Sequence, residues 1–445
     1  MEQQVEQVLR QAVEKLRGDG TLPPDFAPVF LVERPRNRDF GDFGCALPLA
    51  MAKATRRSPA DCAKVLIAAM DVDPAVFDTV AFAPPGYVNF RCRTAAWFAG
   101  LADIVANPQG FGTSNAGNGE RVLLEFVSAN PTGPLHVGHA RGAILGDALA
   151  RILRAAGFAV QTEYYVNDVG NQMGMLGRSL HARARQALSL PVEFPEKGYH
   201  GDYVVPLAEQ LAATEEGHAL VAQDFDALDE EARARLSEFG GSRLLARIRD
   251  DLEALGIRFD QWFSEKSLHA SGRILAAVEE LVKRDAAYRR EDGAVLFRMA
   301  GKADEDDRVI LRDSGVPTYF AADIAYHREK LGRGFVRLIN IWGADHHGYI
   351  PRMRAAVEAF GHAPDALDVL LVQMVTLTRN GVVVPMSKRS GEFVTLREVV
   401  DEVGPDAMRF IFLLRHADSQ MEFDLELAKA QTMDNPVYYV QYGHA

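Results

Sequence analysis

The sequence predicts an α/β protein built on a doubly wound, Rossmann-like parallel sheet. A separate α+β module should precede the sheet, a largely helical insertion should interrupt it, and helices should follow it. Three observations carry this reading. Residues 121–129 form a buried-strand run, 138–156 a long helical pattern ending at Gly157, and 159–166 a second strand. Strand, helix and strand in such close succession make a βαβ unit. Strand signals return only much later, at 336–342 and 368–375, as expected of a sheet interrupted and resumed.

The elements follow in order. Residues 2–17 place Val5, Val8, Leu9, Ala12, Val13 and Leu16 at helical spacing and stop at Gly18. A proline-rich loop leads to a strand at 28–33. Residues 46–70 read as helices broken at Ser58-Pro59, and 86–91 as a strand. The tract NPQGFGTSNAGNGE closes this first module, assigned to 1–112. The sheet then occupies 118–177 and 306–394. The insertion spans 178–305, with helices near 202–222, 229–256 and 270–287, and closing helices fill 395–445.

The whole chain sets limits. Its 445 residues exceed one ordinary domain, and 48% hydrophobic with 25% charged residues is globular composition. No run reaches the ~18 apolar residues of a membrane span, and the polar N-terminus lacks a signal core. Three cysteines without Cys-x-x-Cys spacing indicate neither a disulfide framework nor a thiolate zinc site, so a reducing cytoplasm is expected. A net charge of −12 argues mildly against a non-specific nucleic-acid binder, while leaving local basic patches open.

The chemistry concentrates in EFVSANPTGPLHVGHARGAILGD, residues 125–147. A strand runs into a Pro/Gly loop, and His136 and His139 bracket Gly138 at a helix start. Such a start offers unpaired N–H groups to an anion, and imidazoles add hydrogen bonds to phosphate oxygens. Gly138 would leave room for a nucleotide against the backbone. Taken alone, the pattern fits equally a helix start whose histidines merely cap or pack. A second segment, VPMSKRSG, presents Met386, Ser387, Lys388 and Arg389 between Gly381 and Gly391. Lys388 there can neutralise charge building on a departing pyrophosphate, and a solvated basic turn is the alternative. Asp345-His346-His347 follows a strand; adjacent histidines on extended chain point oppositely, so a pocket role is preferred to a metal site.

Together these segments resemble the HIGH and KMSKS signatures of class I aminoacyl-tRNA synthetases, a HIGH-type nucleotidyl-transferase fold. The wider text resembles arginyl-tRNA synthetases over essentially the whole chain: YYVNDVGNQ, YFAADIAYH, WGADHHGYIPRM, MSKRSGEFVTLREVVDEVGPDAMRF and, near the start, GDFGCALPLAMAKATRRSP and PPGYVNFRC. The resemblance implies that ATP and L-arginine form arginyl-adenylate, which is passed to tRNA(Arg). His136, His139 and Lys388 would be the catalytic set. His136, Gly138, His139, Met386, Ser387 and Lys388 would bind ATP. Glu125, Asn130, Tyr319 and Asp323 would bind arginine, with His346 and His347 as further candidates. Magnesium would arrive with the ATP, no zinc is expected, and the protein would act as a monomer. Residues 1–112 would touch the outer corner of tRNA, the insertion its acceptor end. Pro385 stands where KMSKS has its first lysine.

The ending DNPVYYVQYGHA looks like the beginning of the family's anticodon-binding bundle, with Val437, Tyr438, Val440 and Tyr442 expected at the surface. That predicts a chain lacking most of the bundle. Two rival readings are another HxGH adenylyltransferase and a catalytically weakened tRNA-binding fragment.

Overall fold

Alternation along one strand decides how the sheet is covered. In the computed structural model, which describes residues 1–299, 306–384 and 394–445, strand β1 (Arg121–Glu125) sends Val122 and Leu124 to one apolar core and Leu123 to another. A strand buried on both faces needs helices on both, and it has them. Four further strands lie parallel to it: β2 (Ala159–Val166), β3 (Gln261–Ser264), β4 (Arg337–Gly343) and β5 (Leu367–Val372). The order across the sheet is β5-β4-β1-β2-β3, every pair parallel. Strand order therefore reverses between β1 and β4, which is where a doubly wound sheet opens a ligand crevice at its carboxyl edge.

Helices α1 (Val137–Ala155) and α3 (Glu230–Ala254) supply residues to the first core, together with the C-terminal helices Leu396–Val403 and Pro405–Leu413. Helices α4 (Tyr319–Gly332) and α5 (Ile350–Ala359) supply the second core. Between β2 and α3 runs α2 (Asn171–Ala187). A three-stranded antiparallel sheet (Ala287–Arg289, Val295–Phe297, Arg308–Leu311) precedes α4. Strands β6 (Val375–Arg379) and β7 (Met421–Asp424) pair in parallel outside the main sheet.

Two expectations change. Residues 178–305 are not a continuous insertion, because Gln261–Ser264 pairs with β2 as the edge strand of the main sheet. Likewise the strand expected over 368–375 is two strands in different sheets, interrupted at Gln373 and Met374.

The chain divides into two compact units, Met1–Thr113 and Ser114–Ala445. The first has its own core. Helix Glu2–Gly18 buries Val5, Leu9, Ala12, Val13 and Leu16, and helices Leu47–Thr55 and Pro59–Ala69 join it. Its four-stranded antiparallel sheet runs Val32–Glu33, Phe43–Cys45, Tyr87–Cys92, Phe77–Ala83. The strand expected at 28–33 is thus only two residues long, and Phe77–Ala83 was not anticipated. At the other end, helix Pro436–His444 exposes Tyr439, Val440 and Tyr442, but Val437, expected at the surface, is buried.

Candidate active site

Strand β1 ends at Glu125, and the chain then turns sharply. Val127 and Ser128 both adopt positive φ, 69° and 43°, a conformation costing about 1–3 kcal/mol per non-glycine residue. Hydrogen bonds hold the bend. Ser128 Oγ donates to Glu125 Oε1 at 2.9 Å and accepts from the Tyr165 amide at 3.1 Å. The Tyr164 and Tyr203 hydroxyls donate to the carbonyls of Ala129 and Thr132, at 2.7 and 2.8 Å. The loop so fixed delivers His136 to the N-cap of α1.

The two histidines cap that helix reciprocally. His136 Nδ1 accepts from the Gly138 amide, and His139 Nδ1 accepts from the His136 amide, each at 3.1 Å. An Nδ1 that accepts carries no proton, so each neutral ring keeps its proton on Nε2, a donor suited to phosphate oxygens. The rings lie 3.8 Å apart, centroid to centroid. Capping and phosphate binding are therefore compatible uses of one residue. At Gly138 a Cβ would come within 2.9 Å of the His136 ring. The glycine makes room for the imidazole.

A cavity of about 1100 Å³ lies over this turn, lined by Asn130, Thr132, His136 and His139, and also by Lys197 and His200. A second, of about 300 Å³, sits in the crevice between β1 and β4, lined by Glu125, Asp323, Asn340, Trp342 and Tyr349. Ser128, Asn167 and His346 line both, so the two share a wall.

Beneath the smaller cavity is a buried network. Lys330, wholly buried on α4, donates to Glu125 Oε2 at 2.5 Å and to Asn340 Oδ1 at 3.1 Å. Asn340 Nδ2 donates to His327 Nε2 at 2.9 Å, which leaves His327 Nδ1–H to donate to the Asp323 carbonyl at 2.8 Å. Burial, aided by Lys330, pushes the His327 imidazole down to about 3, so it stays neutral. The Asp323 carboxylate accepts from the Tyr349 hydroxyl at 2.6 Å. Burial raises Asp323 to about 7; the neighbouring carboxylates of Glu265 and Glu125 push the same way, against the Tyr349 hydroxyl and Lys330. With Glu125 paired internally, Asp323 is the acid of this cavity whose contact is a neutral hydroxyl.

Comparison with known proteins identifies the family and the fold. Residues 101–429 match the family described as tRNA synthetases class I (R), catalytic domain, and residues 3–92 the arginyl tRNA synthetase N terminal domain. The arginine–tRNA ligase of Geobacter sp. (strain M21) is 47% identical over 445 residues, covering all of this chain and 79% of that protein. The chain belongs to the arginyl-tRNA synthetase family. The arginine–tRNA ligase of Halorhodospira halophila is 45% identical, covering 100% of this chain and 80% of that one. A crystal structure described as an arginyl-tRNA synthetase from Campylobacter jejuni superimposes with a TM-score of 0.70 at 41% identity, over 79% of this chain and 76% of that one. The Thermus thermophilus arginyl-tRNA synthetase, at 24% identity, shares the fold with a TM-score of 0.73, over 100% and 80% of the two chains.

Within this arginyl-tRNA synthetase fold the expected site residues divide. His136, His139 and Asn130 line the large cavity, Glu125 and Asp323 the small one, and His346 both. Tyr319, one turn before Asp323, is 64% exposed and lines neither, with its hydroxyl near Gly170. His347 is exposed and also lines neither. Met386, Ser387 and Lys388 lie outside the described residues. The chain re-emerging from that segment is joined to the histidine turn: Thr395 bridges to His136, and the Leu396 amide donates to the Leu135 carbonyl at 2.7 Å. Lys330, Asn340, Glu265 and Tyr349 escaped the sequence reading. Lys330 had no signal, since REKLGRG reads as a solvated charged run.

Proposed function

We propose that the joined cavities carry out the two steps of arginine–tRNA ligation. The observation that carries this reading is a carboxylate, Asp323, in a small cavity that shares a wall with a large one capped by His136 and His139. The guanidinium of L-arginine pairs with Asp323, the natural partner for a planar cation. Tyr319 is a second contact to the side chain, while Glu125 and Asn130 act on the polar end. ATP occupies the large cavity. His136 and His139 hold its phosphates, Gly138 keeps the His136 ring in place, and magnesium enters with the nucleotide.

A carboxylate oxygen of arginine attacks the α-phosphorus, the bond to the bridging oxygen breaks, and pyrophosphate leaves. The terminal ribose hydroxyl of tRNA(Arg) then attacks the arginyl carbonyl and releases AMP. Neither step asks for much side-chain acid–base work, so the rate comes from positioning and charge stabilisation. Lys388, with Met386 and Ser387, reaches the pyrophosphate. Residues 1–112 contact the outer corner of tRNA, and the elements around β3 its acceptor end. The protein works as a monomer in the cytoplasm, where buried Cys45, Cys62 and Cys92 stay reduced.

Arginine-dependent ATP–pyrophosphate exchange, run with and without tRNA(Arg), tests the reading. Exchange with arginine and not with other amino acids is expected. Binding of tRNA without exchange under any condition refutes it. Lys388→Ala should lower kcat far more than it raises the KM for arginine, and an unchanged kcat removes the role given to that lysine.

A further inference from the structure

Asn167 follows the last residue of β2, and its carboxamide has two close neighbours, the Val169 carbonyl and the Glu265 carboxylate, each at 3.1 Å. Both neighbours are acceptors, so the amide nitrogen must face them. The carbonyl oxygen then turns to the side where donors lie, and its two lone pairs let it accept from a ligand as well. Glu265 is buried at the end of β3, where the Tyr165 and His269 side chains also hold it. It is fixed scaffolding for the amide.

Position gives that oxygen its use. Asn167 is one of three residues lining both cavities. With the guanidinium in the small cavity and the reacting carboxylate against ATP in the large one, the α-carbon of arginine lies at their shared wall. An α-ammonium there requires acceptors. Ser128 Oγ already donates to Glu125 and accepts from the Tyr165 amide. His346 is exposed, beside Asp345.

We propose that Asn167, oriented by Glu265, accepts a hydrogen bond from the α-ammonium of arginine and so helps the site select an α-amino acid over other guanidinium compounds. Glu265 acts as a positioning residue. The inference rests on the reading of the small cavity as the arginine pocket.

The test compares binding of L-arginine and of 5-guanidinopentanoate, the same molecule without the α-ammonium, by calorimetry on the full chain. Wild type should prefer arginine by at least about tenfold, and Asn167→Ala should weaken arginine by about ten- to a hundredfold while shifting 5-guanidinopentanoate by no more than about twofold. Glu265→Leu should reproduce that loss. Glu265→Gln, which keeps an acceptor for the amide nitrogen, should restore most of it. Asn167→Ser provides the same readout should the alanine variant fail to fold. Equal weakening of both ligands, or a loss confined to ATP, overturns the proposal while leaving the arginine pocket intact. Failure of wild type to bind either compound overturns the pocket itself.

Discussion

At the scale of single residues the site is governed by which atom of each side chain is already engaged. His136 and His139 spend Nδ1 on the backbone, which decides where their remaining proton lies. Gly138→Ala would drive a methyl group into the His136 ring, so the variant should lose about ten- to a hundredfold in exchange kcat as the cap and tautomer are disturbed. A thermal midpoint close to wild type should accompany the loss; wild-type kcat would show that the ring tolerates the shift. In the proposed reading Asp323 links arginine binding to pH. Its folded pKa of about 7 lies above its ordinary 3.8, so between those values the folded chain holds a proton that the unfolded chain has released. Its contribution to stability therefore declines as pH rises through that window and levels off above it. The guanidinium pairing proposed for Asp323 needs the anion. Below about pH 7 arginine binding should release a proton, and apparent affinity should fall by up to about tenfold per pH unit. Calorimetry in buffers of different ionisation enthalpy reads the proton directly, and binding indifferent to pH between 5 and 7 would contradict the assignment. The turn that holds His136 and Gly138 was legible in the sequence as a loop opening a helix, and Asp323 entered through the family resemblance alone. The engaged atoms were not, since a hydrogen bond such as Asn340 to His327 joins residues whose spacing carries no pattern.

At the scale of elements, α4 is pinned to the sheet by charge at its core. The Lys330–Glu125 pair crosses from α4 to β1, with Asn340 on β4 sharing the ammonium. Removing one partner of a buried pair strands the other, at a cost of about 3–5 kcal/mol. Lys330→Met should therefore lower stability sharply in chemical denaturation, and Glu125→Gln with Lys330→Met should recover part of the loss. A double variant no better than the single would mean that the lysine contributes through packing alone. Long periodic elements such as α1 and β2 were readable, and so was the break at Ser58-Pro59. Short ones were not. The four residues of β3 read as a pause between helices, and they become a strand only because β2 presents an open edge. Phe77–Ala83 was overlooked for a related reason: most of its residues are not deeply buried, so the alternation that marks a strand is weak.

At the scale of the molecule, the C-terminal segments are fastened to the helix that starts at the histidines. Arg141, 2% exposed on α1, donates to the carbonyls of Gln373, His416 and Ser419 at 3.1, 2.7 and 2.6 Å. Arg409 on helix Pro405–Leu413 pairs with Asp147 of the same α1. Arg141→Ala removes a buried side chain and the donor shared by three carbonyls, and should cost about 1–3 kcal/mol. A lowered thermal midpoint should be accompanied by faster amide exchange around Met421–Asp424; unchanged exchange there would place the effect elsewhere. Such ties link positions more than 200 residues apart and left no mark in local sequence. One of these long-range connections sets a length. The stretch 385–393, which carries Lys388, leaves from Val384, whose amide donates to the Leu377 carbonyl, and returns at Thr395, bridged to His136. The far anchor of the segment that carries Lys388 is thus the histidine turn itself. The action on the triphosphate proposed for Lys388 then depends on the length of sequence between the two anchors. Adding residues between Val384 and Thr395 should therefore lower exchange kcat while leaving both anchors in place.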